Sequence, residues 1–300
     1  MVLGVIFLGV VLIPVGCAKG NVYDGLRAYS LESVKKEARQ NKKVKVAIAF
    51  GGGGIRGFMH LGVIKAFEEA GIKVDIVTGS SAGSIAATLY ATGKPYPELE
   101  QIILDLKEDE IADFVLSTKG FINGQSIAQW VNRVTGSPDI SSLPIKLGIT
   151  VTELNSERAL LLRQGNVGQA VQASASIPGA FIPVKTNGKT FVDGGMLSLV
   201  PVRFAKAMGA DFVIGVDIYC GNKPAYEDST MGVLYTSFRI QNCALGMIEA
   251  KESDALIAPG YEPPTFSSFE TKKESIDAGY QAAKAMMPKI KKGIAQILSH

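Results

Sequence analysis

Val77-Thr78-Gly79-Ser80-Ser81-Ala82-Gly83-Ser84 closes a short apolar segment rich in β-formers, Val74 to Thr78, and opens an Ala-rich helical stretch. A G-x-S-x-G pentapeptide in that strand-turn-helix context is what a nucleophile elbow requires. A serine on so tight a turn needs small neighbours two residues to either side, so that strand and helix can approach, and Gly79 and Gly83 supply them. The turn also sets the Ser81 hydroxyl near a helix N-terminus, where backbone N–H groups favour developing negative charge. Structural turns use Gly and Ser as well, so the pentapeptide makes Ser81 a candidate and its surroundings must decide.

Upstream, Val44-Lys45-Val46-Ala47-Ile48-Ala49-Phe50 reads as a buried strand running into Gly51-Gly52-Gly53-Gly54-Ile55-Arg56-Gly57. Successive glycines leave backbone amides unobstructed, and before a helix such a loop can turn several N–H groups toward one anion or oxyanion. Gly52, Gly54 and Gly57 also satisfy G-x-G-x-x-G, the dinucleotide fingerprint. That fingerprint expects an acidic residue closing the second strand, whereas Asp75 begins it and the serine turn closes it. Both loops therefore fall at the same edge of a parallel sheet, where α/β proteins place their chemistry.

The nucleophile needs a base, and the chain has two histidines, His60 and His300. His60 precedes Val63, Ile64 and Phe67 at helical spacing, so it lies on an apolar face as a core histidine; His300 is the last residue. A carboxylate is left, and Asp193 in Thr190-Phe191-Val192-Asp193-Gly194-Gly195 ends a strand at a tight turn. An Asx turn uses the same residues, and Asp217, ending Phe212 to Asp217, is the rival acid.

These residues together resemble the patatin-like phospholipases, and among them the small bacterial members. Gly52-Gly53-Gly54-Ile55-Arg56-Gly57 matches the family's G-G-G-x-R-G oxyanion loop, Gly79 to Gly83 its nucleophile elbow, and Asp193-Gly194-Gly195 its D-G-G motif. Ala173-Ser174-Ala175-Ser176-Ile177-Pro178-Gly179-Ala180-Phe181 looks like the segment leading to that turn. The four blocks follow in the family's order between roughly residues 44 and 200. The resemblance implies a Ser-Asp dyad with Ser81 as nucleophile, Asp193 as base, and Gly52, Gly53 and Gly54 as oxyanion donors. Arg56 matches a basic position that either orients the loop or meets an anionic group of the substrate.

The chain has 300 residues, 47% of them hydrophobic, enough for one α/β domain with helical additions. Further apolar segments at Ile145 to Val151, Ala159 to Leu162, Phe191 to Asp193, Phe212 to Ile218 and Ala255 to Ala258 alternate with helical stretches. The expected architecture is a three-layer α/β/α patatin-like domain with a mainly parallel sheet, occupying 44–300 and ending in a C-terminal helix. Before it we expect a signal-type segment over 1–17 and a charged linker or helix over 18–43. A net charge of +3 is too small to argue for nucleic acid, and the lysines between Lys35 and Lys45 read as a solvated helix face. Phe114, Val115, Leu116, Phe121 and Ile122 read either as a cap over an acyl groove or as core.

Val2 to Val15 is apolar and uncharged, short for a bilayer span and right for a signal h-region. It ends at Pro14-Val15-Gly16-Cys17-Ala18, which resembles a bacterial lipobox with Cys17 as the lipidated residue, although Pro14 replaces the usual leucine and no Lys or Arg precedes the run. The expectation is a lipoprotein of the bacterial cell envelope facing the periplasm or exterior, with an uncleaved anchor as the alternative. Cys220 and Cys243 would then be the remaining cysteines, read slightly in favour of two buried free thiols over a disulfide. The function expected is a serine acyl hydrolase of lipid or other carboxylic esters, of phospholipase A or lysophospholipase type, acting through an acyl-enzyme on Ser81. It calls for no metal or organic cofactor, because nucleophile, base and oxyanion donors all come from the protein. The alternatives from other classes are a catalytically silent lipid-binding scaffold and a dinucleotide-binding module.

Overall fold

The computed structural model describes residues 20–34, 44–136, 138–221, 228–264 and 269–299. Ten strands join one sheet: β1 (Asn21–Val22), β2 (Arg27–Tyr29), β3 (Val46–Phe50), β4 (Ile76–Gly79), β5 (Lys146–Glu153), β6 (Arg158–Gln164), β7 (Val184–Thr186), β8 (Lys189–Asp193), β9 (Phe212–Val216) and β10 (Ala255–Ile257). The helices are α1 (Phe58–Glu69), α2 (Ala82–Ala91), α3 (Tyr96–Asp105), α4 (Gln125–Thr135), α5 (Val167–Ser174), α6 (Val202–Ala207), α7 (Thr230–Ala250) and α8 (Lys272–Leu298).

The run β5-β4-β3-β9-β10 is parallel throughout. Its strands are buried on both faces, which is why they read as unbroken apolar segments. Alternation along β3 divides the core: Val46, Ile48 and Phe50 pack with α1, α2, α5 and α8 on one side, while Ala47 and Ala49 meet Val202, Phe204 and Ala205 of α6 on the other. The sheet is therefore the middle of three layers. Each fully buried Ile or Phe of this kind contributes about 1.5–3 kcal/mol of transfer free energy.

Around β5 the sheet turns mixed. β6 and β8 pair with β5 antiparallel, β7 pairs with β8 antiparallel, β1 joins β7 and β2 joins β6. The linker expected over 18–43 is corrected by this: its described part, 20–34, supplies two strands to the sheet, with Leu26 buried beneath them. The open edges of β6 and β7 take up that backbone, and strands of two and three residues carry no period that a sequence could show. Cys17, the apolar run 2–15, residues 35–43 and His300 lie outside the described residues.

The C-terminal helix packs along α1, as its stripe of Ile276, Ala283, Met287 and Ile290 requires. Two glycines set how close the helices come. A Cβ on Gly62 would stand 1.9 Å from the Ile276 carbonyl oxygen, and one on Gly279 would stand 1.9 Å from that of Met59.

Candidate active site

β5 explains why residues 112 positions apart in sequence meet. One edge of β5 is shared by two strands running head-on: β4, parallel, ends with Gly79 opposite Ile149, and β8, antiparallel, ends with Asp193 opposite Val151. The C-terminal ends of β4 and β8 are thus separated only by Thr150 on the shared neighbour. The serine turn leaves one end and the D-G-G turn leaves the other.

Ser81 takes up φ 50°, ψ −126°, a left-handed conformation that costs a non-glycine residue on the order of 1–3 kcal/mol. Its flanking glycines are there for space: a Cβ on Gly79 would lie 2.3 Å from the Gly83 carbonyl oxygen, and one on Gly83 would lie 2.2 Å from that of Phe50. The Ser81 N–H donates to Ser174 Oγ at 2.9 Å, and that hydroxyl donates to the Thr150 carbonyl at 2.7 Å. The turn is therefore pinned to the end of α5 and to β5 at once.

The Ser81 hydroxyl donates to Asp193 Oδ2 at 2.6 Å, while Oδ1 accepts the Gly195 N–H at 2.7 Å. The carboxyl group is buried, and loss of water pushes its pKa up to about 6 against the opposing pull of those two hydrogen bonds. Gly194 comes against β5, where a Cβ would fall 2.3 Å from the Thr150 carbonyl oxygen. Serine and aspartate are brought together as the sequence suggests. The rival acid is not: Asp217 Oδ1 accepts the N–H groups of Tyr219 and Cys220 and caps the turn after β9.

The glycine loop reaches the same place from the end of β3. Gly52 lies beside Ser81, since a Cβ there would be 3.1 Å from that of the serine. As an oxyanion donor, however, Gly52 is corrected: its N–H donates to the Leu199 carbonyl at 3.0 Å, and that of Gly51 extends the ladder to Val216 at 2.9 Å. Among the described residues the Gly53 and Gly54 amides have no acceptor in the fold. Arg56 is buried and its guanidinium holds both carboxylate oxygens of Glu262, in the segment after β10, and the Gly53 carbonyl, so it ties the glycine loop to that segment.

His60 is buried, packs edge-on to Phe50, and donates from Nε2 to the Gly51 carbonyl at 2.7 Å. Burial pushes its pKa down to about 4, which keeps the ring neutral. It supports the loop from below, in keeping with its place on an apolar helix face. Asp75 sits at the opposite end of the sheet from the glycine loop, accepting the Val46 N–H at the start of β3. That position denies it the ribose contact of a dinucleotide site. Ser174, Thr150, Glu262 and Leu199 escaped the sequence reading. Ser174 alone carried a signal, as a polar residue in the small-residue run before the D-G-G turn.

Cys220 and Cys243, read as free thiols, are joined in a disulfide that ties the loop after β9 to the middle of α7, with Cα atoms 5.4 Å apart. A separation of 23 positions hides the contact from the sequence.

The model for the family described as patatin-like phospholipase matches residues 48–206. An uncharacterized NTE family protein of Mycobacterium tuberculosis is 29% identical over 182 residues, covering 60% of this chain and 51% of that protein. The lysophospholipase nte1 of Aspergillus fumigatus is 30% identical over 201 residues, covering 62% of this chain and 13% of its own. The chain thus spans about half the length of the first of these relatives and far less of the second. Among solved structures, VipD from Legionella pneumophila superposes with a TM-score of 0.47 at 15% identity, over 88% of this chain and 70% of its own.

Proposed function

Because the chain belongs to the patatin-like phospholipase family, we propose that it is a lipid acyl hydrolase in which Ser81 and Asp193 act as a catalytic dyad. The observation that carries this reading is the 2.6 Å hydrogen bond from Ser81 Oγ to a buried carboxylate, made at a strained turn beside a glycine loop two of whose amides have no acceptor among the described residues.

Asp193 takes the hydroxyl proton as Ser81 Oγ bonds to the ester carbonyl carbon. The carbonyl oxygen becomes an oxyanion, and the Gly53 and Gly54 N–H groups are the donors best placed to receive it. Collapse breaks the bond to the alcohol, which leaves with the proton from Asp193. Water then gives its proton to Asp193 and attacks the acyl carbon, and return of the proton to Oγ frees the carboxylic acid. Burial serves this cycle: a carboxylate with a pKa near 6 is a better base than an exposed one and is still ionised at neutral pH.

The substrate class proposed is a phospholipid or lysophospholipid. Wild-type protein should release fatty acid from phosphatidylcholine or lysophosphatidylcholine, Ser81→Ala should fall to background, and Asp193→Asn should lose about a hundredfold to ten-thousandfold, the usual worth of a general base. A folded wild-type protein releasing no acid from lipid or soluble ester would leave the silent lipid-binding scaffold instead. The anchor at Cys17 remains part of the proposal, and with it a place at the bacterial cell envelope. Cys17→Ala should then accumulate as a larger, unlipidated precursor, and wild-type protein without an acyl mass on Cys17 would overturn it.

A further inference from the structure

α7 lies along the outside of the molecule, yet its 21 residues include only two charged ones, and neither faces water freely. The Arg239 guanidinium donates to the Tyr219 carbonyl at 2.7 Å and lies over that ring, while Glu249 is buried, accepting from Ser198 Oγ and the Arg203 N–H. Beside Thr230, Ser237, Gln241 and Ala244, the helix shows to solvent Val233, Leu234, Tyr235, Ile240, Leu245 and Ile248, with Ile240 67% and Ile248 59% exposed. A surface helix ordinarily turns charge outward. A largely apolar face of this kind, interrupted only by the uncharged Ser237 and Gln241, marks an interaction site.

A second apolar element stands next to it. The turn from Phe114 to Ile122 is closed by the Val115 N–H on the Phe121 carbonyl, with Phe114 76% and Leu116 86% exposed. Its base is held to the segment 180–182, where the Phe121 and Ile122 N–H groups share the Ala180 carbonyl and the Ile182 N–H returns to Ile122. One residue earlier, a Cβ on Gly179 would touch Leu234 of α7 at 3.9 Å. α7 also adjoins the Asp193 turn directly, packing against Gly194–Met196 and, through Gly246, against Leu199, while the segment that holds the 114–122 turn reaches it through the Ser176 carbonyl, which accepts the Asp193 N–H.

We propose that the outer face of α7 and the 114–122 turn form one docking surface for a phospholipid bilayer, seating the Ser81 site against the lipid. This rests on the lipid hydrolase reading above. A bilayer is the occupant the observations favour, because the surface borders the site itself: a protein covering it would close the approach to Ser81, whereas a membrane delivers substrate there. Apart from the exposed Lys119 on the turn and the half-buried Arg239 on the helix, the surface carries no charge that reaches solvent and suits hydrocarbon, which asks for no matching polar groups. No helix among the described residues is long and apolar enough to cross a membrane, so α7 lies in the interface.

The test places tryptophan on the surface of the full chain. Trp130 is the one native tryptophan and is buried, so wild-type protein supplies the background. Ile240→Trp fluorescence should be quenched by vesicles of dibrominated phosphatidylcholine relative to unbrominated ones, while Lys291→Trp on α8, across the sheet, should not be. In parallel, the combined variant Leu116→Asp/Ile240→Asp/Ile248→Asp should lose about tenfold or more of its hydrolysis of vesicle lipid and keep that of a soluble short-chain ester. Absence of quenching at position 240, equal quenching at 291, or an unchanged vesicle rate would overturn the proposal. So would a wild-type dimer that the combined variant turns into monomer, which assigns the face to a second copy. If no substrate is hydrolysed at all, the hydrolase reading fails while the quenching still decides the docking.

Discussion

Ser81 holds a backbone conformation that glycine adopts freely, and its side chain is the reason to keep it. Replacing it with glycine should abolish turnover yet leave a protein more stable than Ser81→Ala by about 1 kcal/mol, read from denaturant midpoints. The two titrating groups of the site pull stability in opposite directions. Asp193 has its pKa raised from 3.8 to about 6, so its contribution is fully present below pH 3.8 and is lost as pH rises through about 6, a change of about 3 kcal/mol. His60 has its pKa lowered from 6.5 to about 4, so its contribution is present above pH 6.5 and is lost, by a similar amount, as pH falls to about 4. Wild-type Tm should therefore change little over that window, whereas Asp193→Asn should be more stable than wild type at neutral pH and should fall more steeply on acidification. Parallel curves for the two proteins would contradict the burial of Asp193 as a charged group. Activity should rise with pH through about 6, as the aspartate ionises.

At the level of elements, the dyad is a consequence of β4 and β8 sharing an edge of β5, with Ser174 locking the turn to that strand. Ser174→Ala should leave the fold in place and lower kcat more than it raises KM, because the Ser81 N–H loses its acceptor and the nucleophile its fixed bearing. Loss of stability with unchanged kcat would make Ser174 merely structural. The crossing of α1 and α8 depends on glycine at both contacts, so Gly279→Ala should cost about 1–3 kcal/mol, since a Cβ there meets backbone that cannot step aside. The elements that carry Ser81 and Asp193 were legible: each strand is an apolar run followed by Gly or Asp, signals that depend on neighbours in sequence. The antiparallel flank was not, because β1, β2 and β7 are two or three residues long and exist only where an open edge receives them. The Gly52 amide was misread for a related reason: its acceptor, the Leu199 carbonyl, is supplied by a distant loop.

Across the whole molecule, the Cys220–Cys243 disulfide fastens α7 to the parallel core, closing a loop of 23 residues. On the chain-entropy argument its removal by Cys243→Ser should cost about 3 kcal/mol, visible as a lower Tm that reducing agent does not lower further. Such a tie lies beyond sequence reading, since it depends on where α7 packs. The family motifs were readable because catalysis confines them to short stretches, whereas the uncharged outer face of α7 had meaning only once its burial pattern was known. All of this turns on whether Ser81 is the group that bonds to an acyl or acyl-like centre. Treatment of the full chain with a fluorophosphonate, followed by peptide mass analysis, should give one adduct, on Ser81; it should be absent in Ser81→Ala, greatly slowed in Asp193→Asn and retained in folded His60→Gln. An adduct on another residue, or none on folded wild-type protein, would contradict the dyad.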